Sequence, residues 1–149
     1  MGFEKIRRPL SGRMISGSRR GSITATQYKA LFTTPQTIVP APGAGWANVF
    51  DRIVLYKQAG TAYNAANNIV VRYTDASGLE VGQIATSGFA DQTTVQTRVG
   101  RHHAAASGAN SFTPVANSPL VLHVLVADPT TGTGSFQYRV WYTIVPTVP

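Results

Sequence analysis

The chain has 149 residues, no cysteine, 43% hydrophobic and 13% charged residues, and a formal net charge of +7. That length suits one domain able to bury a core unaided, and the missing thiols exclude a disulfide framework and any cysteine-ligated zinc site. The apolar content excludes wholesale disorder, and no apolar run approaches the roughly 18 residues of a membrane span, so no membrane role is expected.

The charge is unevenly placed. Residues 1–22 hold Lys5, Arg7, Arg8, Arg13, Arg19 and Arg20 against Glu4 alone, a balance of +5, while residues 23–149 hold seven basic and five acidic residues, +2. The same segment carries Pro9, four glycines and four serines. It reads as an extended basic arm, disordered when alone and ordered on a partner. No apolar stretch follows its charged start, so no secretory signal is expected. Arg7, Arg8, Arg13, Arg19 and Arg20 are the candidate partner-binding residues, suited to carboxylates or phosphates. Phe3, Ile6, Leu10, Met14 and Ile15 lie between them. An arm lying in a protein groove has use for such residues, whereas a nucleic-acid arm does not.

From Ile23 the pattern changes to a domain spanning 23–149. Thr24 and Gln27 have the spacing of a capping box for one helical turn. Gln36–Val39 reads as a short strand, and the run 40–45 (PAPGAG) as a turn. Trp46–Lys57 reads as a long strand, with Val49, Asp51, Ile53 and Leu55 on one face and Phe50, Arg52, Val54 and Tyr56 on the other. Asn68–Thr74 and Leu79–Ala85 form a hairpin across the turn 75–78 (DASG). Thr93–Val99 is rich in β-branched residues. Leu120–Val126 is the most apolar strand. Phe136–Val145 alternates, with Phe136, Tyr138, Val140, Tyr142 and Ile144 facing one way and Gln137, Arg139, Trp141 and Thr143 the other. Seven or eight short strands with turn signals between them, and no long amphipathic helix, predict an all-β fold: a single β-sandwich or jelly-roll-like domain of antiparallel strands.

Catalytic chemistry is poorly supplied. Asp75 and Asp128 open turns, where a carboxylate ordinarily bonds the backbone. His102 and His103 are adjacent, so on a strand they point to opposite faces and chelate poorly as a pair. The glycines at 43, 45, 132 and 134 lack the Lys-Ser/Thr of a phosphate loop. No enzymatic activity, metal or cofactor is therefore expected. Val121, His123, Leu125 and Trp141 lie opposite the presumed core and are the candidate oligomer interface. Trp46, Tyr63, Phe89 and Trp141 are aromatics that could stack on sugars.

Three stretches taken together resemble a known family: LFTTPQTIVPAPGAG (31–45), FDRIVLYKQAGTAYNAANNIVVRYTDASG (50–78) and PVANSPLVLHVLVADPTTGTGSFQYRVWYTIV (114–145). They are similar to the decoration, or cement, proteins of tailed-bacteriophage capsids, and cover about half of the chain. The resemblance implies a β-sandwich on the outside of the head, commonly a trimer, with the major capsid protein as partner and no active site. It implies a virion location after synthesis in the host cytoplasm. The arm is not part of the resemblance, but an arm clasping capsid subunits suits it, and nucleic acid is not the expected partner. Two alternatives remain open: a self-assembling jelly-roll capsid protein with a nucleic-acid-binding arm, and a carbohydrate- or receptor-binding tail or fibre module.

Overall fold

The computed structural model describes residues 14–64, 67–103 and 111–148. These form eight strands and one short helix: β1 (Ile15–Ile23), α1 (Ala25–Tyr28), β2 (Gln36–Val39), β3 (Trp46–Lys57), β4 (Ile69–Tyr73), β5 (Glu80–Ile84), β6 (Gln96–Arg101), β7 (Leu120–Val124) and β8 (Phe136–Pro146). They make two four-stranded sheets, a first in the order β1-β8-β3-β6 and a second in the order β2-β7-β4-β5. Every pairing is antiparallel. The expected all-β sandwich is the observed fold.

The core lies between the sheets because alternate residues of each strand point inward. The first sheet contributes Phe50, Ile53, Leu55, Phe136, Val140, Tyr142 and Ile144, and the second contributes Ile38, Ile69, Val71, Tyr73, Val81, Leu120, Leu122 and Val124. At one end Tyr28, Tyr63 and Phe89 gather on Phe136, with ring centroids 4.4, 5.6 and 5.8 Å from it. Tyr63 is oriented by its hydroxyl, which donates to the Gly134 carbonyl at 2.7 Å. The capping box is present: Thr24 Oγ1 accepts from Gln27 N–H at 3.1 Å, and Gln27 Oε1 accepts from Thr24 N–H at 2.9 Å. It starts the single turn α1, which buries Tyr28. In the hairpin turn, a Cβ on Gly78 would stand 1.7 Å from the Tyr73 carbonyl oxygen, so the turn tolerates glycine alone.

Strand ends shift, with β6 at Gln96–Arg101 where Thr93–Val99 is expected and β7 ending at Val124 and not Val126, and two larger features depart from the sequence-based expectation. Residues 15–22, expected as part of the disordered arm, instead form β1 together with Ile23, paired along its whole length with β8 from Ile15↔Ile144 to Ile23↔Phe136. Its inward row holds Gly17 and Gly21, and the rings of Tyr142 and Tyr138 fill the space their side chains leave. Apart from Ile23, which lies in the core, the strand's apolar burial comes from its neighbour, and its own composition looks like a linker. Residues 1–13, with Arg7, Arg8 and Arg13, lie outside the described residues.

The second departure is in β3. Phe50 pairs with Tyr142 and Arg52 with Trp141, so Asp51 is an extra residue, a β-bulge. Strict alternation fails there. Phe50 points inward with Ile53, Leu55 and Lys57, and not with Arg52, Val54 and Tyr56 as the uninterrupted period requires. The bulge also joins the sheets. Asp51 O accepts from His102 N–H at 2.8 Å, and His102 bridges to Gly82 of β5.

Candidate functional site: the outer face of the first sheet

All but one of the basic residues of the strands belong to the first sheet. The first sheet's strands carry Arg19, Arg20, Arg52, Lys57, Arg98, Arg101 and Arg139 against Asp51, whereas those of the second carry Arg72 and Glu80. The second sheet neutralises itself. Arg72 Nη2 and Glu80 Oε2 are 3.5 Å apart, the one ion pair among the described residues.

Register sorts the first sheet's charges by face. Arg20 opposes Arg139, Val54 opposes Arg139 from the other side, and Val99 opposes Val54. In the next outward row Ser18 opposes Trp141, Trp141 opposes Arg52, and Arg52 opposes Arg101. The outer face therefore presents Arg20, Arg139, Arg52 and Arg101, and two of them flank a single indole. Arg52 Cζ lies 4.5 Å and Arg139 Cζ 4.7 Å from the Trp141 ring centroid. Such stacking holds guanidinium planes while leaving their N–H edges free. Arg139 is further held by its Nη2, which donates to Ser18 Oγ at 3.3 Å, and its Nε is buried without a partner. Tyr56, 39% exposed, and Val99, 51% exposed, add apolar surface. An open cleft of about 550 Å³ runs over this face, lined by Arg20, Ser22, Tyr56, Gln137, Arg139 and Trp141 among others.

Arg19 and Arg20, adjacent in sequence, are separated by the pleat: Arg20 joins the outer face, and Arg19 lies in the opposite row, opposite Val140. The expected interface residues are not gathered into one patch. Val121 and His123 are on β7 of the second sheet, 3% exposed each, and Leu125 follows them, half-buried. Trp141 is on the first sheet, half-buried. His123 is covered from within the chain by Phe32, whose ring stacks on it at 5.5 Å. Phe32 N–H in turn donates to Asp128 Oδ1 at 2.7 Å. Burial is the main force holding the His123 imidazole below the usual histidine range, with the Arg72 charge acting in the same direction.

The residues singled out for chemistry have structural partners. Asp75 Oδ1 accepts from Ser77 N–H at 2.8 Å and Ser77 Oγ at 2.7 Å, which holds its carboxyl below the ordinary carboxylate range. Asp128 Oδ2 accepts from Thr33 Oγ1 at 2.9 Å. The His102 ring stacks on Phe112 at 4.8 Å, and His103 N–H donates to the Val81 carbonyl at 2.9 Å. Among the described residues no group of three or more His, Asp or Glu could hold a metal ion. No helix among them is long and apolar enough to cross a membrane. Of the aromatics considered for sugar stacking, Tyr63 and Phe89 are buried core residues, and Trp46 packs against the core.

Sequence reasoning missed the Arg52, Arg101 and Arg139 face. The three stand far apart in the chain, and only strand pairing brings them together. The available signal was the polar row of β8, where Arg139 and Trp141 alternate with core residues.

No family model matches the sequence, and no curated protein matches it. Among solved structures, a chain of the cyanophage Pam1 capsid asymmetric unit is 17% identical, with a TM-score of 0.42 over 96% of this chain and 93% of that one. The CsCBM6-3 module of Clostridium stercorarium, solved in complex with cellobiose, is 16% identical with a TM-score of 0.33, over 85% and 92% of the two chains. A virus-like particle of the nodavirus of the giant freshwater prawn Macrobrachium rosenbergii gives 10% identity and a TM-score of 0.27, over 93% and 97%. At these scores the functional reading rests on this chain's own surface and sequence.

Proposed function

We propose that this chain is a structural protein of a virion, a decoration protein that binds the outside of a bacteriophage head and stabilises it. The observation that carries the reading is the outer face of the first sheet, where Arg52 and Arg139 stack on Trp141, Arg20 and Arg101 lie in the rows beside them, and none of the four makes an ion pair among the described residues. Four cations with no carboxylate partner among the described residues suit an acidic surface on another molecule, and the apolar groups between them suit a protein surface. The resemblance of residues 31–45, 50–78 and 114–145 to capsid decoration proteins points the same way. In this reading the chain acts as a trimer on the major capsid protein, and residues 1–13 with Arg7, Arg8 and Arg13 reach neighbouring subunits.

The test is compositional. Phage particles purified from cells producing the chain contain it in many copies, and particles stripped of it lose their DNA at a lower temperature. Its absence from purified particles overturns the reading. Light scattering on the purified chain separates the other assembly: a discrete oligomer agrees with decoration, whereas large particles containing nucleic acid replace it with a self-assembling capsid protein. The carbohydrate reading loses its stacking platform, because Tyr63 and Phe89 are in the core and two guanidiniums engage Trp141.

A further inference from the structure

We infer that the cleft between β1 and β8 is a carboxylate site: it seats an Asp or Glu side chain of an acidic protein partner between Arg20 and Arg139. The inference deepens the docking role proposed for this face and rests on it. Arg20 and Arg139 stand directly opposite each other on paired strands, an arrangement of like charges that destabilises a sheet unless something lies between them. No carboxylate of the described chain does so.

The two guanidiniums are prepared differently. Arg139 is fixed by the Trp141 ring and Ser18 Oγ, and its buried Nε lacks an acceptor. Arg20 is exposed, at the rim of the cleft. One held fork and one exposed fork across a strand pair suit the two oxygens of a carboxylate, which accept paired N–H bonds. Tyr56, Ser22 and Gln137 at the cleft supply hydroxyl and amide groups for the peptide around that carboxylate.

Nucleic acid fits less well. Single strands are held by successive aromatic faces along a cationic groove. Here Arg52 and Arg139 already engage the indole, and Tyr56 is left as the exposed aromatic of the cleft. The flanking Val54 and Val99 interrupt any cationic track.

The test is fluorescence anisotropy on the full chain with labelled hexaglutamate, hexaglutamine and a short oligothymidylate. Hexaglutamate is expected to bind, hexaglutamine not to, and oligothymidylate to bind more weakly than hexaglutamate. Arg20→Gln and Arg139→Gln should each weaken hexaglutamate by about tenfold, the worth of a hydrogen bond to a charged group. Arg19→Gln removes the same charge from the adjacent residue on the opposite row and should leave binding unchanged. Equal losses in Arg19→Gln and Arg20→Gln, or tighter binding of oligothymidylate, overturn the site. Arg20 is exposed, so its variant keeps the test decisive even where Arg139→Gln disturbs folding. A chain that takes hexaglutamate this way yet is missing from phage particles overturns the virion role and leaves the site standing. A chain present in particles but indifferent to hexaglutamate overturns the site alone.

Discussion

The ring of Tyr138 stands where a side chain on Gly21 would go: a Cβ built there lies 2.4 Å from the Tyr138 hydroxyl oxygen and 2.5 Å from Cζ. The edge strand β1 is thus keyed to β8 by an aromatic lid over a bare backbone, a pairing that stabilises edge glycines. Gly21→Val forces the ring aside and should destabilise the domain by about 1–3 kcal/mol. The measurement is a urea titration, with Gly21→Val/Tyr138→Ala recovering part of the loss. An unchanged midpoint in Gly21→Val would mean that β1 does not dock as described.

Val126 is a β-branched residue held at φ 73°, a conformation that crowds its Cβ. It is the centre of a tight turn, in which Ala127 N–H donates to the Leu125 carbonyl at 3.0 Å, and it is 76% exposed. Its side chain therefore contributes little packing to set against the strain. Val126→Gly should raise stability by about 1 kcal/mol, the strain relief less glycine's greater unfolded entropy. Thermal unfolding reads this directly, and a lower midpoint would contradict it.

His123 makes stability pH-dependent in a defined direction. Burial lowers its folded pKa below the ordinary 6.5, so between those two values the unfolded chain holds a proton that the folded chain does not. Stability is then full above 6.5 and is lost as pH falls through the folded value. Neither ring nitrogen has a well-formed partner, and the Phe32 backbone acts only as a lesser opposing influence, so an apolar residue of similar size gives up little hydrogen bonding. His123→Leu should match the wild type at pH 8 and lose stability less steeply below pH 6.5. Parallel slopes for the two proteins would assign the acid sensitivity elsewhere.

Lys57 carries the same sign of linkage at a higher pH. It is fully buried on the inward row of β3, and its Nζ donates to the Gln58 carbonyl at 3.2 Å and lies 5.9 Å from the Tyr63 ring centroid. Burial lowers its pKa below 10.5. The charged form is therefore a cost at neutral pH, relieved as pH rises from the folded value toward 10.5. Lys57→Met should be more stable than the wild type by about 1–2 kcal/mol at pH 7. The gap should narrow as pH rises toward 10.5. The comparison cancels the buried tyrosines, including Tyr63, whose pKa burial pushes up to about 12. A destabilised Lys57→Met would show that the ammonium has a stronger partner than the Gln58 carbonyl.

How much of this was legible depends on where the physics acts. Gln36–Val39 and Trp46–Lys57 were readable to the residue, because β-branched runs bounded by Pro and Gly carry their own signal. The Thr24–Gln27 capping box was equally local. β1 was not legible, since what makes it a strand is the pair of tyrosines on β8 and not its own side chains. The bulge at Asp51 was not legible either, because an inserted residue is defined only by the partner strand's count. The candidate site depends on the same long-range register. Arg52, Arg101 and Arg139 each look like solvated strand residues until β3, β6 and β8 are laid side by side. Arg20 and Trp141 were both singled out from sequence, but for an arm and a subunit interface, and their shared cleft appears only in the pairing of β1 with β8.

The bulge at Asp51 has one more implication. In most strands, removing a residue turns every later side chain inside out. In β3, Phe50 and Arg52 already sit on successive rungs opposite Tyr142 and Trp141, so excising Asp51 would leave an unbroken ladder with each neighbour facing as before. The surplus residue is thus spare as far as orientation goes. What it supplies is bend, together with the carbonyl that receives His102 and so fastens one flank of the sandwich to Gly82. The curvature of the arginine face and the seam along the domain's side are in this way governed by a single backbone insertion.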